Sequence, residues 1–169
     1  LIRDLLTSDF QAIRVDNPAD HQRVLETVER ILPALAPRVS LYDRPSPIFE
    51  EYGVQGEIDK ALKSKVWLKS GGSIVINQTE ALVAIDVNSG RATRGRNIEE
   101  TALRTNSEAA AEIARQLRLR DLAGLIVIDF IDMDHTRNQQ AVERRLKEAM
   151  RRDRARIQIG RISPFGLLE

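Results

Sequence analysis

Apolar and polar residues alternate or recur along this chain in ways that predict most of its elements. Gln11 to Val15 alternates like a strand. Asp16-Asn17-Pro18 then offers cap residues and a proline suited to a first helical turn. Val24, Leu25, Val28, Ile31 and Leu32 recur at helical spacing until Pro33 stops the helix. Arg38 to Tyr42 reads as a short strand, Arg44 to Pro47 as a loop, and Ile58, Ala61 and Leu62 as part of a second helix. Near Lys63 the pattern changes. Val66 to Lys69 and Ser73 to Ile76 flank Ser70-Gly71-Gly72 and predict a hairpin. A turn over Asn77 to Glu80 leads to a strand from Leu82 to Asp86.

The longest helical stripe follows, through Leu103, Ala110, Ile113, Ala114 and Leu117. Asn97 with Glu100 three residues later gives it a reciprocal N-terminal cap. Gly124 precedes an apolar strand, Leu125 to Asp129. Thr136 to Arg152 predicts a helix with Val142, Leu146, Ala149 and Met150 inward, and Arg156 to Ile159 a last strand ended by Gly160. No repeat or low-complexity segment interrupts this order. Trp67, Phe49 and Tyr52 could stack on bases, but aromatics make up only 4% of the chain. Core roles are expected for them.

Strand, helix, strand from Leu82 to Asp129 is a crossover unit, which makes parallel neighbours. Both strands end on acid: Ile85-Asp86-Val87-Asn88 and Ile128-Asp129-Phe130-Ile131-Asp132. Aspartate is depleted in strands and rarely buried unpaired. Ligand sites of open α/β sheets lie outside the carboxyl ends of the strands. Asp86 and Asn88, two apart, share a face. Asp129 arrives from the neighbouring strand. Asp132, three further on, ranks lower because it faces away unless the strand breaks first. Two close carboxylates repel until one takes a proton or a cation joins them. Mg²⁺ is held by one or two carboxylates with waters and phosphate oxygens, so the set suits metal-assisted phosphodiester hydrolysis. The duller reading is that each acid caps a strand end or pairs with an arginine.

Composition narrows the field. The chain is 42% hydrophobic and 30% charged, with net charge +1, so charge excess alone points to no nucleic acid. Basic residues do cluster: eight Lys/Arg against three acids between Arg137 and Arg156, then Arg91, Arg94 and Arg96, then Arg115, Arg118 and Arg120. Solvated helix faces account for such runs by default. Arg144, Arg152 and Arg156 are candidate phosphate contacts. The absence of cysteine excludes disulfides and thiolate metal sites within these residues. No apolar run approaches a membrane span. No Gly-x-x-x-x-Gly-Lys-Ser/Thr loop or dinucleotide fingerprint occurs. His135 fits a surface position at a helix start better than a metal ligand, and His21 lies on a polar helix face.

Several motifs in order carry a family resemblance. They are Lys65-Val66-Trp67-Leu68-Lys69-Ser70-Gly71-Gly72, Thr79-Glu80-Ala81-Leu82, Ile85-Asp86-Val87-Asn88-Ser89-Gly90, and Asn97-Ile98-Glu99-Glu100-Thr101. Glu112 to Arg120 and Ile128-Asp129-Phe130-Ile131-Asp132-Met133 complete the series. It resembles the catalytic region of the bacterial ribonuclease E/G family, most strongly from Val66 to Glu169 and more loosely before Pro47.

The resemblance implies a mixed α/β (α+β) fold. Residues 1–62 would be part of a ribonuclease H-like subdomain, and 63–169 a deoxyribonuclease I-like catalytic subdomain with a mixed sheet. It implies a Mg²⁺-dependent endoribonuclease acting on single-stranded RNA in RNA processing and mRNA decay, with E type favoured over G type. Asp86 and Asp129 would bind Mg²⁺, with Asn88 assisting as the third catalytic residue. The full-length family protein is expected to be a zinc-linked homotetramer in an RNA-degrading assembly. The linking cysteines are absent here, and so are the RNA-binding parts. A chain that opens on Leu1 therefore reads as a piece of a longer protein, monomeric and poorly active alone. A cytoplasmic location is expected, with inner-membrane association only through segments elsewhere. The competing reading is a non-catalytic RNA-binding or scaffold module.

Overall fold

The computed structural model describes residues 10–90, 98–151, 153 and 155–169. They form a mixed α/β structure in two compact units, divided between Glu57 and Ile58. In the first unit, strands β1 (Ile13–Val15) and β2 (Val39–Leu41) pair in parallel. Between them lies helix α1 (Pro18–Ile31), which starts where Asn17 caps it: its Oδ1 accepts from the amides of Ala19 at 2.9 Å and Asp20 at 3.1 Å. Pro33 ends α1 as expected and opens a 3-10 turn, Pro33–Arg38. Among the described residues, Val28, Leu35 and Tyr42 are the buried ones of this unit. A four-residue helix, α2 (Ile48–Glu51), follows, and then α3 (Val54–Ala61), within which the division falls.

The second unit is built on a five-stranded sheet: β3 (Lys65–Trp67), β4 (Ser73–Gln78), β5 (Val83–Asn88), β6 (Ile126–Asp129) and β7 (Leu167–Leu168), in that spatial order. β5 and β6 are parallel and every other pair is antiparallel. The hairpin predicted at Ser70-Gly71-Gly72 is present. Gly71 supplies a φ of +91°, a backbone region costly for residues with a Cβ. Helix α4 (Ile98–Leu119) makes the crossover from β5 to β6, and α5 (Thr136–Met150) packs against it. The predicted cap at Asn97 lies outside the described residues, as does Arg152.

One face of the sheet is closed. Ile74, Ile76, Val83, Ile85, Val87 and Ile128 join Ile113, Ala114, Val142 and Leu146 of the two helices in a single core. Strand alternation then turns the intervening residues of β5 and β6 outward. None of the described helices is long and apolar enough to cross a membrane.

Two expectations are corrected. Arg156 to Ile159 is not a strand. The edge of the sheet beside β6 is taken by Leu167–Leu168, which pairs antiparallel with Ile128 and Asp129. The three aromatics are not core residues either: Trp67 is 68% exposed, Phe49 51% and Tyr52 45%. Trp67 sits on the outward phase of a short edge strand, whereas its neighbour Val66 packs against the core.

Candidate active site

Asp86 and Asp129 are register partners across the parallel pair of β5 and β6. Partners share a face, and adjacent strands lie about 4.8 Å apart. Both carboxylates therefore rise side by side on the open face, where both are exposed. The core-facing phase of the same strands is Ile85, Val87 and Ile128, each at most 5% exposed. That phase fixes which way the acids point, because a one-residue slip would bury charge and expose the isoleucines.

Asn88 stands on the same face of β5. Its Nδ2 donates to Asp86 Oδ2 at 2.7 Å, which orients that carboxylate.

Beyond Asp129 the strand ends, and the chain is steered by α4. Asn106, fully buried, donates from Nδ2 to the carbonyl of Ile131 at 2.8 Å and accepts the Ile131 amide at 3.0 Å. This side chain does what a neighbouring strand would otherwise do for Ile131. The break also changes the position of Asp132. A Cβ placed on Gly166 would lie 3.2 Å from Asp132 Oδ1 and 4.0 Å from Asp129 Oδ1. Both carboxylates therefore flank Gly166, and Asp132 is nearer the pair than strand phase predicts.

The start of α5 is held from α4 as well. His135 is its N-cap residue but makes no side-chain capping bond. Glu99 acts in its place, accepting from the amides of Asp134 at 3.0 Å and His135 at 3.2 Å, and from Asn138 Nδ2 at 2.6 Å. The Asp134 amide, then Asn138, are the main causes that hold the Glu99 carboxyl below its ordinary pKa.

On the other flank, Glu108 of α4 accepts from the hairpin amides of Lys69 at 2.5 Å and Ser70 at 3.1 Å. Partial burial works against its charge. The Ser70 side chain, the two amides and the charge of Arg104 outweigh that penalty and lower its pKa. The Ser70 hydroxyl lies near this carboxylate without completing a hydrogen bond of its own.

The pinned hairpin presses on the exit from β5. A Cβ on Gly72 would come 2.6 Å from the Asn88 carbonyl, and one on Gly90 (φ +67°) 2.5 Å from that of Gly71. Glycine at these positions lets the turn approach the backbone that carries Asn88. Sequence reasoning missed Asn106, Glu108 and Gly166. Only Asn106 left a trace, as a polar residue three positions after Leu103 on the apolar stripe of α4.

Among the described residues, no three His, Cys, Asp or Glu side chains group as a metal cage. The donor set still fits Mg²⁺, which needs only one or two carboxylates when waters and phosphate oxygens complete its octahedron.

The basic patches divide. Arg115 pairs with Glu112 at 2.7 Å, Arg118 donates to the Ala149 carbonyl at 3.1 Å, and Arg120 donates to that of Lys63 at 2.7 Å. Those three brace the fold. Arg144 and Arg156 are exposed, while Arg91, Arg94 and Arg96 lie outside the described residues.

The family model for the ribonuclease E/G family matches residues 1–169, the whole chain. The chain belongs to the ribonuclease E/G family. It is 57% identical over 172 residues to ribonuclease E of Escherichia coli (strain K12), covering 99% of this chain and 16% of that protein. Identity to ribonuclease E of Haemophilus influenzae is 56% over 168 residues, with 99% and 18% covered. Ribonuclease G of Salmonella typhimurium is 41% identical over 169 residues, with 100% and 35% covered. The chain thus spans under a fifth of those two ribonuclease E relatives and about a third of the ribonuclease G. The ribonuclease E/G motifs recognised in the sequence carry the acid pair and Asn88.

Proposed function

We propose that this chain is the metal-binding core of a Mg²⁺-dependent endoribonuclease that hydrolyses single-stranded RNA in RNA processing and mRNA decay. The observation that carries the reading is the register pairing of Asp86 with Asp129, with Asn88 bonded to the first. Asp86 and Asp129 would hold the ion. Bound there, it would neutralise charge on the attacked phosphate and lower the pKa of a water.

The protein's own part is positional. Asn88 fixes the Asp86 carboxylate, the parallel pairing fixes Asp129 beside it, and Asn106 carries the chain away after β6 so that the face above the acids stays open. The names and higher identities of the ribonuclease E relatives favour E type over G type. The ribonuclease H-like assignment of 1–62 and the deoxyribonuclease I-like assignment of 63–169 remain part of this proposal. So do the tetramer, the RNA-degrading assembly and the cytoplasmic location of the full-length protein. With so small a share of its relatives' length, the chain alone is expected to cleave poorly.

Removal of divalent ions by a chelator should bring RNA cleavage by the full-length protein to background, and added Mg²⁺ should restore it. Cleavage that persists in the chelator would contradict the proposal.

A further inference from the structure

Two exposed aromatic residues, Trp67 of β3 and Phe165 just before β7, belong to segments on opposite sides of β5 and β6, and the endoribonuclease reading does not use either. Register places Trp67 in line with Ser73 and Asn88, and Lys65 in line with Val75, Asp86 and Asp129. Residues so aligned share one face, so Trp67 and Lys65 stand on the open face with the acids. They lie two strands from Asp86, at about 10 Å, and three strands from Asp129. The position between Trp67 and Asn88 is a buried serine, while Val75 stands in line between Lys65 and Asp86. Trp67 is 68% exposed, and the Lys65 ammonium lies 4.2 Å from its ring centroid. On the other side, Phe165 is 82% exposed and precedes Gly166, the residue flanked by Asp129 and Asp132.

We propose that Trp67 and Phe165 are base-stacking positions on either side of the acid pair, with Lys65 contacting the RNA backbone beside Trp67. Aromatic platforms beside positive charge are how proteins hold single strands without reading sequence, since every base has a π-face. The chemistry favours RNA over a protein partner because a cation lies over the ring and the residues in register with it are a serine and an amide rather than a contiguous apolar patch. The strand would cross the sheet from β3 towards β7, with the attacked phosphate over Asp86 and Asp129. This picture rests on the endoribonuclease reading for the position of that phosphate.

Trp67 is the only tryptophan of these 169 residues, so within them its fluorescence reports this position alone. With Asp86→Asn in place to block cleavage, a single-stranded oligoribonucleotide should quench that fluorescence. Trp67→Ala should weaken binding about tenfold, while Trp67→Phe keeps most of it. Abasic sugars placed one at a time along the RNA should show which base each ring takes. Trp67→Ala should erase the penalty at one position and Phe165→Ala at a position across the cleavage site.

Absence of quenching, or abasic penalties unchanged by Trp67→Ala, would overturn the proposal. A lowered melting temperature in Trp67→Ala without any abasic effect would overturn it as well, and would mean that protein covers the ring. The two readings fail separately: cleavage insensitive to Asp86→Asn sinks the endoribonuclease, whereas quenching is read without cleavage.

Discussion

Asp86→Asn is expected to slow cleavage of single-stranded RNA by the full-length protein about a thousandfold while leaving RNA affinity unchanged or slightly tighter. The substitution is nearly isosteric, and Asp86 is exposed, so the fold should tolerate it. An amide oxygen can still accept from Asn88, whose Nδ2 now bonds the carboxylate at 2.7 Å. What disappears is one of two negative charges available to the ion. Metal-centred charge stabilisation is worth several kcal/mol, and about 1.4 kcal/mol is a factor of ten in rate. Binding should not suffer, because a carboxylate facing a phosphodiester backbone repels it. Single-turnover cleavage and a filter or polarisation assay on the same preparation separate the two effects. A binding module without catalysis would show no cleavage that depends on Asp86.

Asn106→Ala is expected to cost about 3 kcal/mol of stability. Asn106 is fully buried and serves both the amide and the carbonyl of Ile131. Its removal strands two half-buried backbone groups at roughly 1–3 kcal/mol each, with partial recovery where water reaches them. For a chain of this length, 1 kcal/mol lowers the melting temperature by about 2–4 °C, so a fall of about 6–12 °C should appear in a thermal melt. Asn106→Asp, which would bury a carboxylate against the Ile131 carbonyl oxygen, should cost at least as much. A change under 2 °C in the alanine variant would show that the bend after β6 holds without this side chain. Because that bend places Asp132 beside Gly166, the variant should also cleave more slowly than its stability alone explains.

The sequence made the crossover legible because its signals are local. Apolar alternation in β5, the long stripe of α4 and the apolar run of β6 each decide their own element, and a helix between two strands makes them parallel. Strand phase then placed Asp86 and Asn88 on one face. For Asp132 the strand break that suspends phase does occur, and the bend after it depends on a partner 25 residues earlier, Asn106. The last strand failed for a related reason. Arg156 to Ile159 alternates suitably, but edge pairing with β6 is a non-local competition that Leu167–Leu168 wins, and two residues carry no periodic signal. The scarcity of aromatics, 4% of the chain, points Trp67 to the core. Its place on an edge strand, one residue out of phase with Val66, decides the other way.

In the proposed function Asp86 and Asp129 would act as one ligand pair for Mg²⁺. Cleavage rates as a function of Mg²⁺ for Asp86→Asn, Asp129→Asn and the double variant test it most directly. The paired site predicts that each single variant loses about as much as the double, because residues acting as a unit are strongly non-additive. Losses that multiply in the double variant, or near-normal cleavage in either single variant at ordinary Mg²⁺, would contradict it.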